Sequence, residues 1–199
     1  MHTKIFGQPF SESKLRWHAS DVTRIQVLIE WGGIYLDKDV VVVQKLDRFR
    51  NYEMTVDYEV YDLFLGTQTL IAGREALFLR LWLQQYRRYE ADCWMCNAAV
   101  RPTKEIINRW PELVHRTTPG AFGASIEELC PMLYLRYEPD WRHKYYAIHL
   151  LMRANSLTDI NYCLDRRPDM MTAVIDEHYV RQLNTTFGEI ARDLLDFDV

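Results

Sequence analysis

The chain has 199 residues, 48% of them hydrophobic, and a formal net charge of −4 at pH 7, so it is long enough to bury a sizeable core, and we expect a single domain, 1–199. Basic residues are scattered among acidic ones, which leaves no broad positive field for a nucleic-acid backbone, and nucleic acid is excluded as an expected partner. No apolar run approaches the ~20 residues that span a bilayer, and the start MHTKIFGQPF contains no hydrophobic signal region.

The first predicted element is a helix that leads directly into a strand. Ser20 is a suitable N-cap, an apolar stripe runs from Val22 to Ile29, and Gly32 can end the helix because glycine adopts backbone conformations closed to other residues. Residues 34–43 follow at once as a strand. Its second half is rich in valine, which favours a strand buried on both faces.

The remaining pattern alternates helices with loops and predicts an α/β fold. The predicted elements are a helix over 75–89, a short helix from Thr103 to Pro111, a loop over 117–125 and a helical C-terminal region over 154–199.

Four cysteines, at positions 93, 96, 130 and 163, are too few for a disulfide scaffold in a chain of this size. Cys93 and Cys96 form a C-x-x-C pattern, which suits half a zinc site or a redox pair, but a second ligand pair at comparable spacing is absent. We therefore predict two small half-buried residues beside Trp94. Asn184 begins an N-x-T sequon, an acceptor for glycosylation only in a secretory compartment.

Two carboxylates follow the glycines within the predicted strand. Side chains alternate along a strand, so Tyr35, Asp37 and Asp39 are expected on one face. Neighbouring carboxylates repel unless a cation compensates them, and carboxylate oxygens suit Mn²⁺ or Mg²⁺ with positions left open for substrate phosphates. The same Asp-x-Asp pattern recurs at Asp196 and Asp198, where we interpret it as a solvated helix end, so the surrounding residues must decide.

The surrounding residues form a specific pattern. The segment HASDVTRIQVLIEWGGIYLDKDVVVV, residues 18–43, contains Ser-Asp-x-x-Arg on a helix and then Gly-Gly-x-Tyr-x-Asp-x-Asp. It resembles the signature of the DXD-containing sugar transferases of glycosyltransferase family 32 and of the related glucosylating domains of large bacterial toxins. A looser resemblance continues to about residue 153, so that it covers approximately 5–153.

This resemblance implies a GT-A type fold, with a mixed α/β sheet and a nucleotide-sugar site at the strand ends. It implies retaining transfer of a hexose from a sugar nucleotide to a hydroxyl of a glycan, lipid or protein acceptor. Asp37 and Asp39 would bind the metal, Mn²⁺ or Mg²⁺, and the pyrophosphate, with Asp39 the direct ligand and Asp37 nearer the ribose and sugar.

The resemblance also assigns roles to neighbouring residues. Asp21 and Arg24, one turn apart on the helix, would grip sugar hydroxyls together; the alternative is an ordinary surface ion pair. Tyr35 would contact the nucleotide or only pack. His149 occupies the position of a late histidine that contributes to metal or pyrophosphate binding in relatives, although a histidine between Ile148 and Leu150 is also typical of a satisfied half-buried side chain.

The chain departs from the family pattern in three places. Thr67 and Gln68 stand where relatives carry an asparagine-glycine pair, which predicts a missing sugar or acceptor contact. The segment with Trp94 and Asn97 reads WMCNAAVRP instead of the usual W-x-x-x-S, so their roles stay open. Only 19 residues precede Ser20, so we expect part of the N-terminal nucleotide-binding βαβ half to be missing.

These departures leave a competing hypothesis, a catalytically inactive or truncated domain that serves as a binding or interaction module. A calcium-binding module is excluded because the loop pattern D-x-D-x-D-G is absent. By family resemblance the expected compartment is the Golgi lumen if a membrane anchor lies outside this chain, and the cytoplasm otherwise.

Overall fold

The computed structural model describes residues 4–58, 63–123, 125–151 and 174–196. The strands are β1 (Lys4–Ile5), β2 (Gln8–Pro9), β3 (Gly33–Leu36), β4 (Val40–Val42), β5 (Met54–Val56), β6 (Thr69–Ala72), β7 (His115–Arg116) and β8 (Ala147–His149). The α-helices are α1 (Leu15–Trp31), α2 (Leu77–Gln85), α3 (Ile126–Cys130), α4 (Trp141–Lys144), α5 (Glu177–Gln182) and α6 (Thr186–Asp196). Cys163, Asp198 and residues 154–173 of the predicted helical region lie outside the described residues.

The main sheet has four strands in the order β3-β6-β5-β7. β6 runs antiparallel to both β3 and β5, whereas β7 runs parallel to β5. The sheet is therefore mixed and is flanked by helices, which confirms the predicted α/β class.

The predicted continuous strand over 34–43 is wrong. The chain leaves the main sheet after Leu36, turns at 37–39, and re-enters a second, two-stranded sheet as β4, which pairs with β8. β4 is also less buried than expected, since Val42 is 45% exposed. In the part of the chain that the structure describes, β4 pairs with β8 in a two-stranded sheet, and the expected burial on both faces is not reached.

Helix α1 begins earlier than predicted and ends where predicted. A 3₁₀ turn over Glu12–Lys14 runs directly into Leu15, so Ser20 lies inside the helix and is not its N-cap. The helix ends at Gly32, where φ is +64° and the amide donates to the carbonyl oxygen of Leu28 at 2.8 Å. A side chain is disfavoured at this φ, which explains the glycine.

The predicted helices at 75–89 and 103–111 are found with different bounds. The first is α2, followed by a 3₁₀ turn over Tyr86–Arg88. The second starts earlier, because residues 94–107 are helical and include π-helical turns at Cys96–Val100 and Thr103–Ile107. Pro102 lacks an amide proton for the α-helical ladder, and wider turns flank it on both sides.

Three hydrophobic clusters hold these elements. The largest lies between the main sheet and helices α1 and α2, and includes Val22, Ile25, Leu28, Met54, Leu70, Phe78 and Trp82. A second packs α6 against the segment 129–151. A third contains Ile71 of β6 and Ala147 of β8, and so joins the two sheets. No helix in the described ranges combines the length and the apolar character needed to cross a membrane.

Candidate functional site

The turn that carries Asp37 and Asp39 lies between the two sheets and is bonded to both. The amide of Asp37 donates to the carbonyl oxygen of Gln68, just before β6, at 2.8 Å. The amide of Leu150, just after β8, donates to the carbonyl oxygen of Asp39 at 2.8 Å, and Val40 closes the turn by donating to the carbonyl of Asp37 at 3.0 Å. The backbone of the Asp-x-Asp segment is thus held at both ends.

Arg24 of α1 lies at the centre of the site. Its side chain is only 6% exposed, and one Nη lies 3.2 Å from Asp21 Oδ1 and 3.4 Å from Asp37 Oδ1. The guanidinium also donates to the carbonyl oxygen of Thr67 at 2.6 Å and to Ser20 Oγ at 2.9 Å. Burial opposes its charge, but Asp21 and Asp37 outweigh that effect, so the pKa of Arg24 is raised. The alternative of an ordinary surface ion pair is wrong, because both side chains are buried.

Asp21 is the most deeply buried acid of the site, at 1% exposure. The indole N–H of Trp94 donates to its Oδ2 at 2.7 Å, while its Oδ1 has the Arg24 ion pair but accepts no hydrogen bond among the described residues. Burial raises the pKa of Asp21 to about 6, against the lowering effects of Arg24 and of the Trp94 hydrogen bond. A buried carboxylate oxygen without a donor has unused capacity to accept a ligand hydroxyl.

Tyr35 and Asp37 lie together, as predicted, but the prediction that Asp39 shares their face is wrong, because the strand ends at Leu36 and the chain turns at 37–39. The Tyr35 hydroxyl donates to Asp37 Oδ1 at 2.6 Å, and the Arg24 guanidinium lies 4.6 Å from the Tyr35 ring centre. Burial raises the pKa of Tyr35 to about 12, so the hydroxyl stays protonated and remains a donor to Asp37.

Asp39 contacts a different residue, His149. Asp39 Oδ1 lies 3.3 Å from His149 Nε2, and the two side chains are 14% and 21% exposed. Tyr134 lies nearby: its hydroxyl donates to the Leu150 carbonyl, and burial, followed by the charge of Asp39, raises its pKa. The structure therefore brings two of the predicted metal ligands together, and places the third, Asp37, with Arg24 and Tyr35.

A compact three-residue ligand set occurs elsewhere. Within 4–58, 63–123, 125–151 and 174–196, the group of three whose ligand atoms all lie within 4.8 Å of one another is Glu90, Cys93 and Cys96. Cys93 and Cys96 are joined in a disulfide, so neither supplies a thiolate to a metal. Both cysteines are half-buried, as predicted, but they are not free: the turn brings their Cα atoms to 5.2 Å and they are bonded to each other, as in the redox-pair alternative.

The structure shows the contacts of Trp94 and Asn97, whose roles the sequence did not decide. Asn97 is a structural residue: its amide donates to the carbonyls of Glu90 and Cys93 at 2.8 Å and 2.7 Å. Trp94 is a site residue through its bond to Asp21. Its signal in the sequence was weak, because 73 positions separate the two.

The Thr67–Gln68 segment, where the family pattern fails, contributes through its backbone. Its carbonyls accept from Arg24 and from the Asp37 amide, so it connects the helix and the turn. The Gln68 side chain is buried and donates to the Phe122 carbonyl at 3.4 Å, away from open solvent. A backbone carbonyl accepts hydrogen bonds whatever the side chain is, so the sequence did not predict this role of Thr67 and Gln68.

Parts of the chain match one family model and two known proteins. Residues 1–56 match the family model described as "Glycosyltransferase sugar-binding region containing DXD motif". "Glucan organizing enzyme 1" of Cryptococcus neoformans var. grubii is 27% identical over 107 residues, which are 49% of this chain and 28% of that protein. "Uncharacterized protein At4g19900" of Arabidopsis thaliana is 29% identical over 94 residues, 46% of this chain and 15% of that protein.

The similarity thus spans less than a third of each relative, and no solved structure gives a significant match to the chain. The matched segment contains α1, the two glycines and both aspartates of the turn. For residues 1–56, this match confirms the predicted resemblance to the DXD-containing sugar transferases.

Proposed function

We propose that this chain is a metal-dependent hexosyltransferase with a GT-A type fold that moves a sugar from a sugar nucleotide to an acceptor hydroxyl with retention of configuration. The observation that carries the proposal is the contact of the Arg24 guanidinium with both Asp21 and Asp37. An aspartate and an arginine of one helix thus meet the first carboxylate of the DXD motif, which brings hydrogen-bond acceptors and a cationic donor together at one place.

The reaction breaks the bond between the anomeric carbon and the phosphate oxygen and forms a bond from that carbon to the acceptor oxygen. The acceptor loses its proton, and a nucleoside diphosphate leaves. Positive charge develops on the sugar ring in the transition state, as in glycoside hydrolysis.

Three residues would orient the sugar. Asp21 would accept sugar hydroxyls through Oδ1, which pairs with Arg24 but accepts no hydrogen bond among the described residues, and Arg24 would donate to them while its contacts with Thr67 and Ser20 hold it in place. Tyr35 keeps the Asp37 carboxylate turned toward Arg24 through its 2.6 Å hydrogen bond. Orientation of this kind lowers the barrier by fixing the reacting atoms before the reaction.

Asp39 and His149 would hold the metal ion. A carboxylate oxygen and an imidazole nitrogen, 3.3 Å apart and both partly exposed, are ligands that Mn²⁺ accepts. A bound divalent ion would supply neutralisation of the charge on the departing diphosphate. Asp37, on the Arg24 side, would then lie nearer the ribose and sugar.

The proposal places the chain in the Golgi lumen. Disulfides persist in oxidising compartments, and Cys93–Cys96 is formed while Cys130 is also disulfide-bonded. The sequon residue Asn184 is exposed in the turn between α5 and α6. Treatment of the protein from a eukaryotic host with an N-glycosidase should lower its mass, and should leave an Asn184→Gln variant unchanged.

The test of activity starts with the metal and a panel of sugar nucleotides. Thermal unfolding is measured for each nucleotide with and without Mn²⁺, and stabilising donors are then assayed for release of nucleoside diphosphate. We expect Mn²⁺-dependent stabilisation by one donor class, turnover of that donor, and loss of turnover with a chelator.

Substitutions locate the activity in this site. Asp37→Ala and Asp39→Ala should each reduce turnover at least a hundredfold, the scale of a lost transition-state interaction. Asp47→Ala is the matched control, because Asp47 is 77% exposed and its ion pair in the described residues is with Arg50 at 3.6 Å. Full activity in either site variant rejects the proposal, and donor binding without turnover in the unmodified chain indicates a binding module instead.

A further inference from the structure

A short disulfide loop touches the candidate site. Trp94 lies between the two bonded cysteines, and its indole N–H reaches Asp21 Oδ2 at 2.7 Å. Asp21 Oδ1 forms the ion pair with Arg24 at 3.2 Å, and the indole holds the other oxygen. The orientation of Asp21 therefore depends on Arg24 and on where the loop places one ring.

The far side of the loop is held firmly. Asn97 accepts from the Glu90 amide at 3.0 Å and donates to the carbonyls of Glu90 and Cys93. The Trp82 indole donates to the Asn97 carbonyl at 3.1 Å, and Arg101 pairs with Glu90. The loop thus runs into the 94–107 helical segment, of which its last three residues are part, and Asn97 directly after it is bonded to α2.

The near side of the loop packs on α1, the helix that carries Asp21. His18 Nε2 lies 3.2 Å from the carbonyl oxygen of Ala91, and Lys14 donates to the carbonyl of Asp92. Opening the disulfide would remove the one covalent link that closes the loop between these two anchors. Trp94 would then be free to move with the backbone of residues 93–96.

We propose that the Cys93–Cys96 disulfide is a positioning device for the candidate site, which holds the Trp94 indole on Asp21 and releases Asp21 when a dithiol reduces it. In that step two electrons and two protons pass from the dithiol to the S–S bond, which gives two cysteine thiols and the disulfide of the dithiol. Both cysteines are half-buried, so a small dithiol has partial access to them. The consequence for sugar transfer rests on the proposed function, whereas the coupling between disulfide and indole does not.

The coupling is measured on the indole itself. The chain has six tryptophans, and labelling them with ¹⁵N gives one indole signal each, of which Trp94→Phe identifies one. We expect the Trp94 indole proton downfield of that of Trp31, which is 74% exposed, because it bonds to a carboxylate. Asp21→Asn, with the disulfide intact, should shift the Trp94 signal and leave the Trp31 signal in place.

Reduction then decides the proposal. Dithiothreitol should move the Trp94 signal toward that of Trp31, and a Cys93→Ser, Cys96→Ser double variant should show the moved position without reductant. Dithiothreitol added to the double variant controls for Cys130, which is also disulfide-bonded. A Trp94 signal that stays in place on reduction, or that ignores Asp21→Asn, overturns the proposal.

The effect on sugar transfer is measured separately, by enzyme kinetics. With a donor that the oxidised protein turns over, reduction and Trp94→Phe should each raise the KM for that donor about tenfold, the scale of one lost bond to a charged group, whereas Trp31→Phe should not. An unchanged KM with a shifted indole signal would overturn the positioning role, although the coupling would stand. If no sugar nucleotide is turned over at all, the proposed function fails and the indole signals still decide the coupling.

Discussion

At the scale of single residues, Arg24 determines whether the site can exist. Its guanidinium meets two carboxylates, a hydroxyl and two carbonyl oxygens within a nearly closed space. The planar fork of arginine presents several donors at once, which a lysine ammonium cannot do in the same geometry. Removal of the charge would leave the buried Asp21 without compensation.

We expect Arg24→Leu to lower the free energy of unfolding by about 3–5 kcal/mol, since one member of a buried ion pair is left alone. The free energy of unfolding of Arg24→Lys should lie between those of Arg24→Leu and the unmodified protein, because lysine keeps the charge but donates to fewer of the acceptors. Urea unfolding measures both. Arg50→Leu serves as the control, since Arg50 is 62% exposed and a surface pair contributes about 0–1 kcal/mol. An Arg24→Leu variant as stable as the control would contradict a role for this pair in the fold.

At the scale of elements, the join between α1 and β3 sets the distance between Arg24 and Asp37. Gly32 and Gly33 both have positive φ, +64° and +102°. Their surroundings differ: a Cβ on Gly32 would lie 2.7 Å from the Arg74 amide nitrogen, whereas nothing lies within 4 Å of a Cβ on Gly33. The first glycine is required by space and conformation, and the second by conformation alone.

Gly33→Ala should therefore destabilise the protein by about 1–3 kcal/mol, the cost of the strained conformation. Gly32→Ala should cost more, because the new methyl group also collides with rigid backbone. Chemical denaturation of the two variants side by side gives the ranking. Equal losses, or a larger loss at Gly33, would show that the close approach of Arg74 is relieved by movement of the backbone.

At the scale of the whole molecule, two buried carboxylates link stability to pH. Burial raises the pKa of Asp57 to about 6, even though Thr117 and the amides of Tyr58, Gly120 and Phe122 donate to it. Asp21 of the site has a pKa raised to about 6 by burial as well. In an unfolded chain an aspartate titrates near its ordinary value of ~3.9, so between about pH 4 and pH 6 the folded protein holds protons that the unfolded chain has released.

This difference predicts the sign of the pH dependence. The stabilisation from protonated Asp21 and Asp57 is fully present below about pH 4 and is lost as the pH rises through about 6, with about 3 kcal/mol at most for each group. Asp57→Asn removes one of the two protons and should flatten the fall in unfolding free energy between pH 4 and pH 6. Unfolding curves at several pH values test this. A slope that is the same in the variant would show that Asp57 titrates alike in both states.

The sequence by itself determined the local features of this protein: the helix and its glycine stop, the pairing of Asp21 with Arg24 one turn apart, and the DXD motif. Each follows from residues close together in the chain, where spacing alone decides which side chains share a face. The α/β class followed from the same kind of pattern.

The tertiary structure decided what depends on distant partners. The strand divides at Asp37 because β6 pairs with 33–36 while β8 pairs with 40–42, and nothing within 33–43 specifies two different partners. The hydrogen bond from Trp94 to Asp21 likewise joins segments far apart in the sequence, and the ion pair of Arg24 with Asp37 joins α1 to the turn after β3. Periodicity reports the face that a residue occupies, but packing between elements decides which residue it meets there.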